Sequence, residues 1–165
     1  MNPELDRLAA ALDLAGCERL RLAFGHACTQ RLRHLLEQPE VDACVAAFGE
    51  ILAGRAADGG LPALAERAAR LANAHAGSRS IDGCGHAAVS ASYAVAKALQ
   101  GRAIEAANYA AYAIVYAQGG YGAVGDRASF APEFEWQVRT LAELAARQGE
   151  AHSDGQDSRT ARRRS

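Results

Sequence analysis

Asp82, His86, Ser90, Tyr93 and Lys97 fall at offsets 0, 4, 8, 11 and 15, which places them on one face of a helix. Glu105, Asn108, Tyr109, Tyr112 and Tyr116 repeat a similar spacing further along. If these two faces meet in an antiparallel pair, an imidazole, an amine and several phenols line one groove. Such a groove could hold a small polar ligand or carry acid–base chemistry, with His86, Tyr93, Lys97 and Tyr112 as the catalytic groups. The competing reading is structural: Tyr rings fill space between Ala-rich backbones and keep their hydroxyls at the rim. That reading takes precedence, because no nucleophile–base or paired-carboxylate spacing accompanies the groove.

Two further pairs, His26-x-Cys28 and Cys84-x-His86, hold zinc-ligand residue types. Side chains two apart on a regular helix point about 200° apart, so neither pair chelates unless the backbone is irregular. Gly83 and Gly85 could provide that irregularity around Cys84. All four side chains would still have to turn inward together, so no metal and no cofactor are expected. Cys17, Cys28, Cys44 and Cys84 lack C-x-x-C spacing and read as small buried hydrophobes of a reducing compartment. Gly120-Tyr121-Gly122-Ala123-Val124-Gly125 spells G-x-G-x-x-G, but a dinucleotide loop needs a strand before it. A helical pattern precedes it, so an inter-helix loop is expected. His26, Gln30, Arg33 and Glu37 share a face that reads as solvated, with local ion pairs.

The elements that position these residues are helices. Ala makes up roughly a quarter of the 165 residues and is the best helix former. Apolar periodicity predicts helices over about Pro3 to Leu14, Glu18 to Glu37, Val41 to Leu52, Leu61 to His75, Ile81 to Leu99, Arg102 to Gln118 and Ala131 to Arg147. Pro39, Gly54, the Asp58-Gly59-Gly60 turn and Gln100-Gly101 punctuate them, and Gly119 to Gly125 is expected as a loop. No alternating β-branched run appears anywhere. The fold class is therefore all-α, with six to seven helices in antiparallel hairpins, as a bundle or short α-solenoid, and no sheet. Residues 1–147 form one domain, and 148–165, apolar-poor and ending Arg162-Arg163-Arg164-Ser165, are expected to be a disordered tail.

Eighteen basic and nineteen acidic residues are interspersed, giving a net charge of −1, so no nucleic-acid-binding face is expected on the folded body. Met1 to Asp6 has no apolar leader core, which points to a cytoplasmic protein. The charge-free stretch between Glu105 and Asp126 contains Asn108, Gln118, several Tyr and a Gly cluster, and reads as a buried helix and loop, not a membrane span.

The most distinctive stretch is Glu133-Phe134-Glu135-Trp136-Gln137-Val138-Arg139-Thr140-Leu141, which carries the only Trp. Together with His86-Ala87-Ala88, Tyr93-Ala94 and Ala106-Ala107-Asn108-Tyr109-Ala110-Ala111-Tyr112-Ala113, it makes the chain resemble the Imm-5-like family of bacterial immunity proteins. These are Ala-rich, all-α and found chiefly in actinobacteria. The likeness covers most of residues 17 to 147 and includes Arg19-Leu20-Arg21-Leu22-Ala23 and Pro39. It implies a self-protection protein that binds and neutralises a toxin, either a protein or a small molecule, without catalysis. The family lends no catalytic residues. The contact residues expected for such a partner are Asp82, His86, Ser90, Tyr109, Tyr112, Tyr116 and Trp136, although Trp136 also suits a lock between two helices. The rival expectation is a small all-α enzyme or ligand-binding protein of a biosynthetic locus, using the groove between the fifth and sixth helices.

Overall fold

The computed structural model describes residues 1–56, 58–77 and 84–162, with side chains to residue 150 apart from Asp58 and Cys84. Asp82 lies outside the described residues. Seven α-helices are present among them and no strand: α1 (Pro3–Ala11), α2 (Glu18–Arg31), α3 (Pro39–Leu52), α4 (Leu61–Ala74), α5 (Cys84–Leu99), α6 (Ala103–Gly125) and α7 (Ala131–Arg162). The expected all-α architecture is therefore the observed one.

The start signals act where the sequence places them. Asn2 caps α1, its Oδ1 accepting from the Leu5 amide at 3.2 Å, with Pro3 in the first turn. Pro39 opens α3 in the same way and holds Gln38 in extended backbone. The second helix stops at Arg31, short of the expected Glu37, and a 3-10 turn over Arg33–Leu35 bridges to α3.

α5 and α6 form the central hairpin, turning at Gly101 with φ 71°. Their pairing is antiparallel in register: Lys97 meets Glu105, Tyr93 meets Tyr109 and His86 meets Tyr116. The seam is built from Ala. Ala91 and Ala94 of α5 and Ala103, Ala107, Ala110 and Ala113 of α6 are all buried in one cluster. α2 lies across this hairpin, and Gly25 makes the crossing possible: a Cβ there would stand 3.1 Å from the Ala98 Cβ and 3.2 Å from its Cα. α1 and α7 complete that core by adding Leu5 and Leu141 to Phe24 and Leu32 of the α2 segment. On the far side of α5, α3 and α4 build a second core around Val41, Val45, Phe48, Ala68 and Val95.

Two further boundaries depart from expectation. Gly119 to Gly125 is not an open loop: helix resumes after a kink at Gly119 and Gly120, where Gly120 has φ 60° and ψ −148°, a conformation essentially restricted to glycine. The backbone of α7 also continues as helix to Arg162, through most of the segment read from the sequence as a tail.

Candidate functional site

The antiparallel register of α5 and α6 turns their two polar faces into one aromatic stripe. At its lower end Lys97 Nζ lies 3.7 Å from Glu105 Oε2, and Arg102 Nε donates to Glu105 Oε1 at 2.5 Å. One step on, Tyr93 stacks on Tyr109 with ring centroids 5.3 Å apart, and the Tyr93 hydroxyl donates to Asn73 Oδ1 of α4 at 3.0 Å. Ser90 follows, half-buried on α5. At the upper end His86 stacks on Tyr116 at 5.4 Å, and Tyr121 meets both rings edge-on at 5.1 and 5.8 Å. Tyr112 lies 6.4 Å from Tyr116 and edge-on to Phe130 at 5.3 Å, which ties the stripe to a small core of Ala111, Val115 and Phe130.

Asp82 (outside the described residues) and Trp136 apart, the groups expected from the sequence share one face, but they do not converge on a point. His86 and Lys97 sit at opposite ends of the stripe, each engaged by a different neighbour. Beneath the stripe the helix seam is filled by Ala87, Ala91, Ala94, Ala106, Ala110 and Ala113. Surface clefts open between α1 and the start of α6, and beside Arg31 and His34. What the face presents is area: Tyr112 is 42% exposed and Tyr121 51%, yet both are braced by rings behind them.

Tyr121 was not among the residues expected at this surface. In a straight helix it would point about 140° away from Tyr116, and the Gly119–Gly120 kink is what brings it back over His86. Paired glycines three and four residues after Tyr116, the last ring of an aromatic helix face, were the only sequence signal.

Trp136 lies outside the stripe. Its ring packs against the α1–α2–α7 core, and the Arg31 guanidinium sits 4.6 Å above its centroid. The same Arg31 donates through Nε to Glu133 Oε2 at 2.7 Å, with the Glu133 side chain 2% exposed and that of Arg31 38%. Desolvation pushes the Glu133 carboxyl above its usual range, and Arg31 and then Gln137 oppose that shift. Gln137, one turn on, is fully buried; its Nε2 donates to the Ala107 carbonyl at 2.8 Å and its Oε1 accepts from Asn2 Nδ2 at 3.2 Å. Asn2 Nδ2 also donates to the Phe134 carbonyl at 3.0 Å. The Glu-x-Glu-Trp-Gln segment is therefore a polar lock that fastens α7 to α2, α6 and the segment before α1.

The possible zinc residues separate. His26 turns to α3, edge-on to Phe48 at 5.1 Å and 3.0 Å from Gln30 Nε2, and burial holds its imidazole below its ordinary pKa. Cys28 faces the opposite core, where burial and then the Glu133 charge push its thiol far upward. His86 belongs to the Tyr cluster, and the Cys84 side chain lies outside the described residues. Among the described residues no group of three or more His, Cys, Asp or Glu is arranged to hold a metal, and no helix is long and apolar enough to cross a membrane. Comparison with protein-family models, curated proteins and solved structures finds no match.

Proposed function

We propose that this chain is a non-catalytic binding protein whose docking surface is the aromatic stripe of α5 and α6, and that its partner is a polypeptide toxin held in a stoichiometric complex. The toxin comes from the resemblance to the Imm-5-like family; the surface comes from the geometry. The observation that carries the reading is the pair of braced, exposed phenols, Tyr112 and Tyr121, above a seam filled by Ala side chains. Protein interfaces favour Tyr because it offers large rigid area at low entropic cost, with a hydroxyl that tolerates water. A site built for chemistry would need His86 and Lys97 to reach a common atom, and they engage opposite ends of the face.

The test is purification of the full chain from its own host, followed by a native mass spectrum of wild type and of Tyr112→Ser/Tyr121→Ser. A polypeptide bound one-to-one by wild type and lost by at least about 100-fold in affinity from the double variant is expected. That polypeptide, expressed alone, should arrest growth, and wild type but not the variant should restore it. Unchanged binding by a folded double variant, or a wild-type protein that carries only a small-molecule mass, would sink the proposal.

A further inference from the structure

A cleft of about 300 Å³ lies between the C-terminal end of α1 and the first turn of α6, at the opposite end of the hairpin from Tyr116. Ala9, Ala10, Leu14, Ala103 and Ile104 line it, so small side chains leave the recess and apolar ones face it. Arg21 of α2 lies along one wall. Its Nη1 donates to the Ala15 carbonyl, and its Nε is 3.3 Å from where a Cβ would stand on Gly101. Gly101 therefore serves twice, making the hairpin turn and leaving room for the guanidinium.

The charges around this recess do not balance. Among the described residues no carboxylate pairs with Arg21. Arg102, on the rim, is bound to Glu105 at 2.5 Å, and Lys97 shares the same carboxylate at 3.7 Å. Glu105, itself part of the cleft's lining, thus serves two cations, while Arg21 on the same lining pairs with no carboxylate. A guanidinium with spare N–H donors at the edge of an apolar recess is suited to a planar oxyanion whose remaining body is hydrocarbon. The volume is at the low end for a ligand site, enough for a body on the order of eight carbons.

We infer that this cleft is a binding site for a small aliphatic carboxylate, with Arg21 holding the head group and the α1–α6 recess holding the chain. The cleft meets the lower end of the stripe at Glu105 but is separate from the Tyr112 and Tyr121 docking surface, Tyr112 lying roughly 10 Å and Tyr116 roughly 16 Å further along α6. Arg21 acts as a binding residue, and Gly101 keeps it in place.

The experiment titrates the full chain with sodium octanoate below its micelle concentration, following backbone amide shifts by NMR, with 1-octanol as the uncharged probe of equal chain length. Saturable shifts centred on Ala10, Ala15, Gly101 and Ala103 are expected, with octanoate binding at least about tenfold more tightly than octanol. Arg21→Gln should weaken octanoate by a similar factor and leave octanol unchanged, while Arg21→Lys should fall between. Non-saturable shifts, equal affinity for the two probes, or an Arg21→Gln protein that binds octanoate like wild type would each overturn the inference. If Arg21→Gln does not fold, the comparison of octanoate with octanol on wild type decides it.

Discussion

Arg31→Ala should destabilise the protein in a way that depends on pH, and the dependence identifies the cause. The substitution leaves the Glu133 carboxyl, 2% exposed, without its only hydrogen-bonded cation. Removing one partner from a fully buried pair costs about 3–5 kcal/mol, whereas an exposed pair contributes about 0–1 kcal/mol. With Arg31 38% exposed, water screens its half of the pair, and a loss of about 2 kcal/mol near neutral pH is expected. For a chain of this length that corresponds to roughly 4–8 °C in Tm. The Glu133 pKa is already raised by burial, so the folded state holds a proton more tightly than the unfolded chain does. Stability from this group is full below the ordinary carboxylate range and is lost as pH rises through the folded value. Without Arg31 the folded value rises further, so the deficit against wild type should be largest near pH 8 and shrink toward pH 4. Thermal melts followed by circular dichroism across that range measure it, with Arg31→Ala/Glu133→Gln as the second-site control. An Arg31→Ala deficit that is the same at every pH, and that Glu133→Gln does not relieve, would mean the guanidinium matters only as packing over Trp136.

Gln137→Leu leaves one buried Asn2 proton without an acceptor and removes the second donor to the Ala107 carbonyl, which keeps its bond within α6, so urea denaturation should show a loss of about 1–3 kcal/mol, and Asn2→Ala added to it should cost less than it does alone. Gly120→Ala forces a Cβ onto a backbone with φ 60° and ψ −148°, at a cost of about 1–3 kcal/mol in a thermal melt, and should also alter the Tyr121 environment in near-ultraviolet circular dichroism. Cys28 should resist iodoacetamide in the native protein at pH 8 while half-buried Cys17 is alkylated; peptide mass mapping that finds both modified equally fast contradicts the burial assigned to Cys28. His26 is held below its ordinary pKa, so the unfolded chain takes up the proton first and stability should fall as pH drops through about 6.5; His26→Gln should flatten that part of the profile.

Helix type and number were legible because Ala content, apolar period and Pro positions all agree, and the α5–α6 face was legible because 3.6-residue spacing alone aligns His86 with Tyr93 and Tyr109 with Tyr116. What the spacing could not give is depth. Glu133 and Gln137 are polar, and a periodicity argument sends polar residues outward, yet both are buried because Arg31, Ala107 and Asn2 meet them there. Those partners are up to 135 residues away, and no local pattern contains them. Tyr121 was missed for a different reason: glycines read as a break in helix, and only the φ and ψ of Gly120 show that the break redirects a side chain onto His86. The seam beneath the stripe was also underdetermined, because Ala at every third or fourth position fits a closed contact as well as an open groove.

The bond between Asn2 and Gln137 has a consequence for synthesis. At about 5–20 residues per second, on the order of ten seconds separate the making of Asn2 from the making of its partner, and α1 spends that interval without the α7 surface it packs on. The hairpin of α5 and α6 with α2 can form first, leaving Leu5 and Phe24 on an unfinished face. α7 then arrives as a latch, and a ribosome stalled before residue 137 would hold a chain whose inner face is still open to chaperones or to other nascent copies.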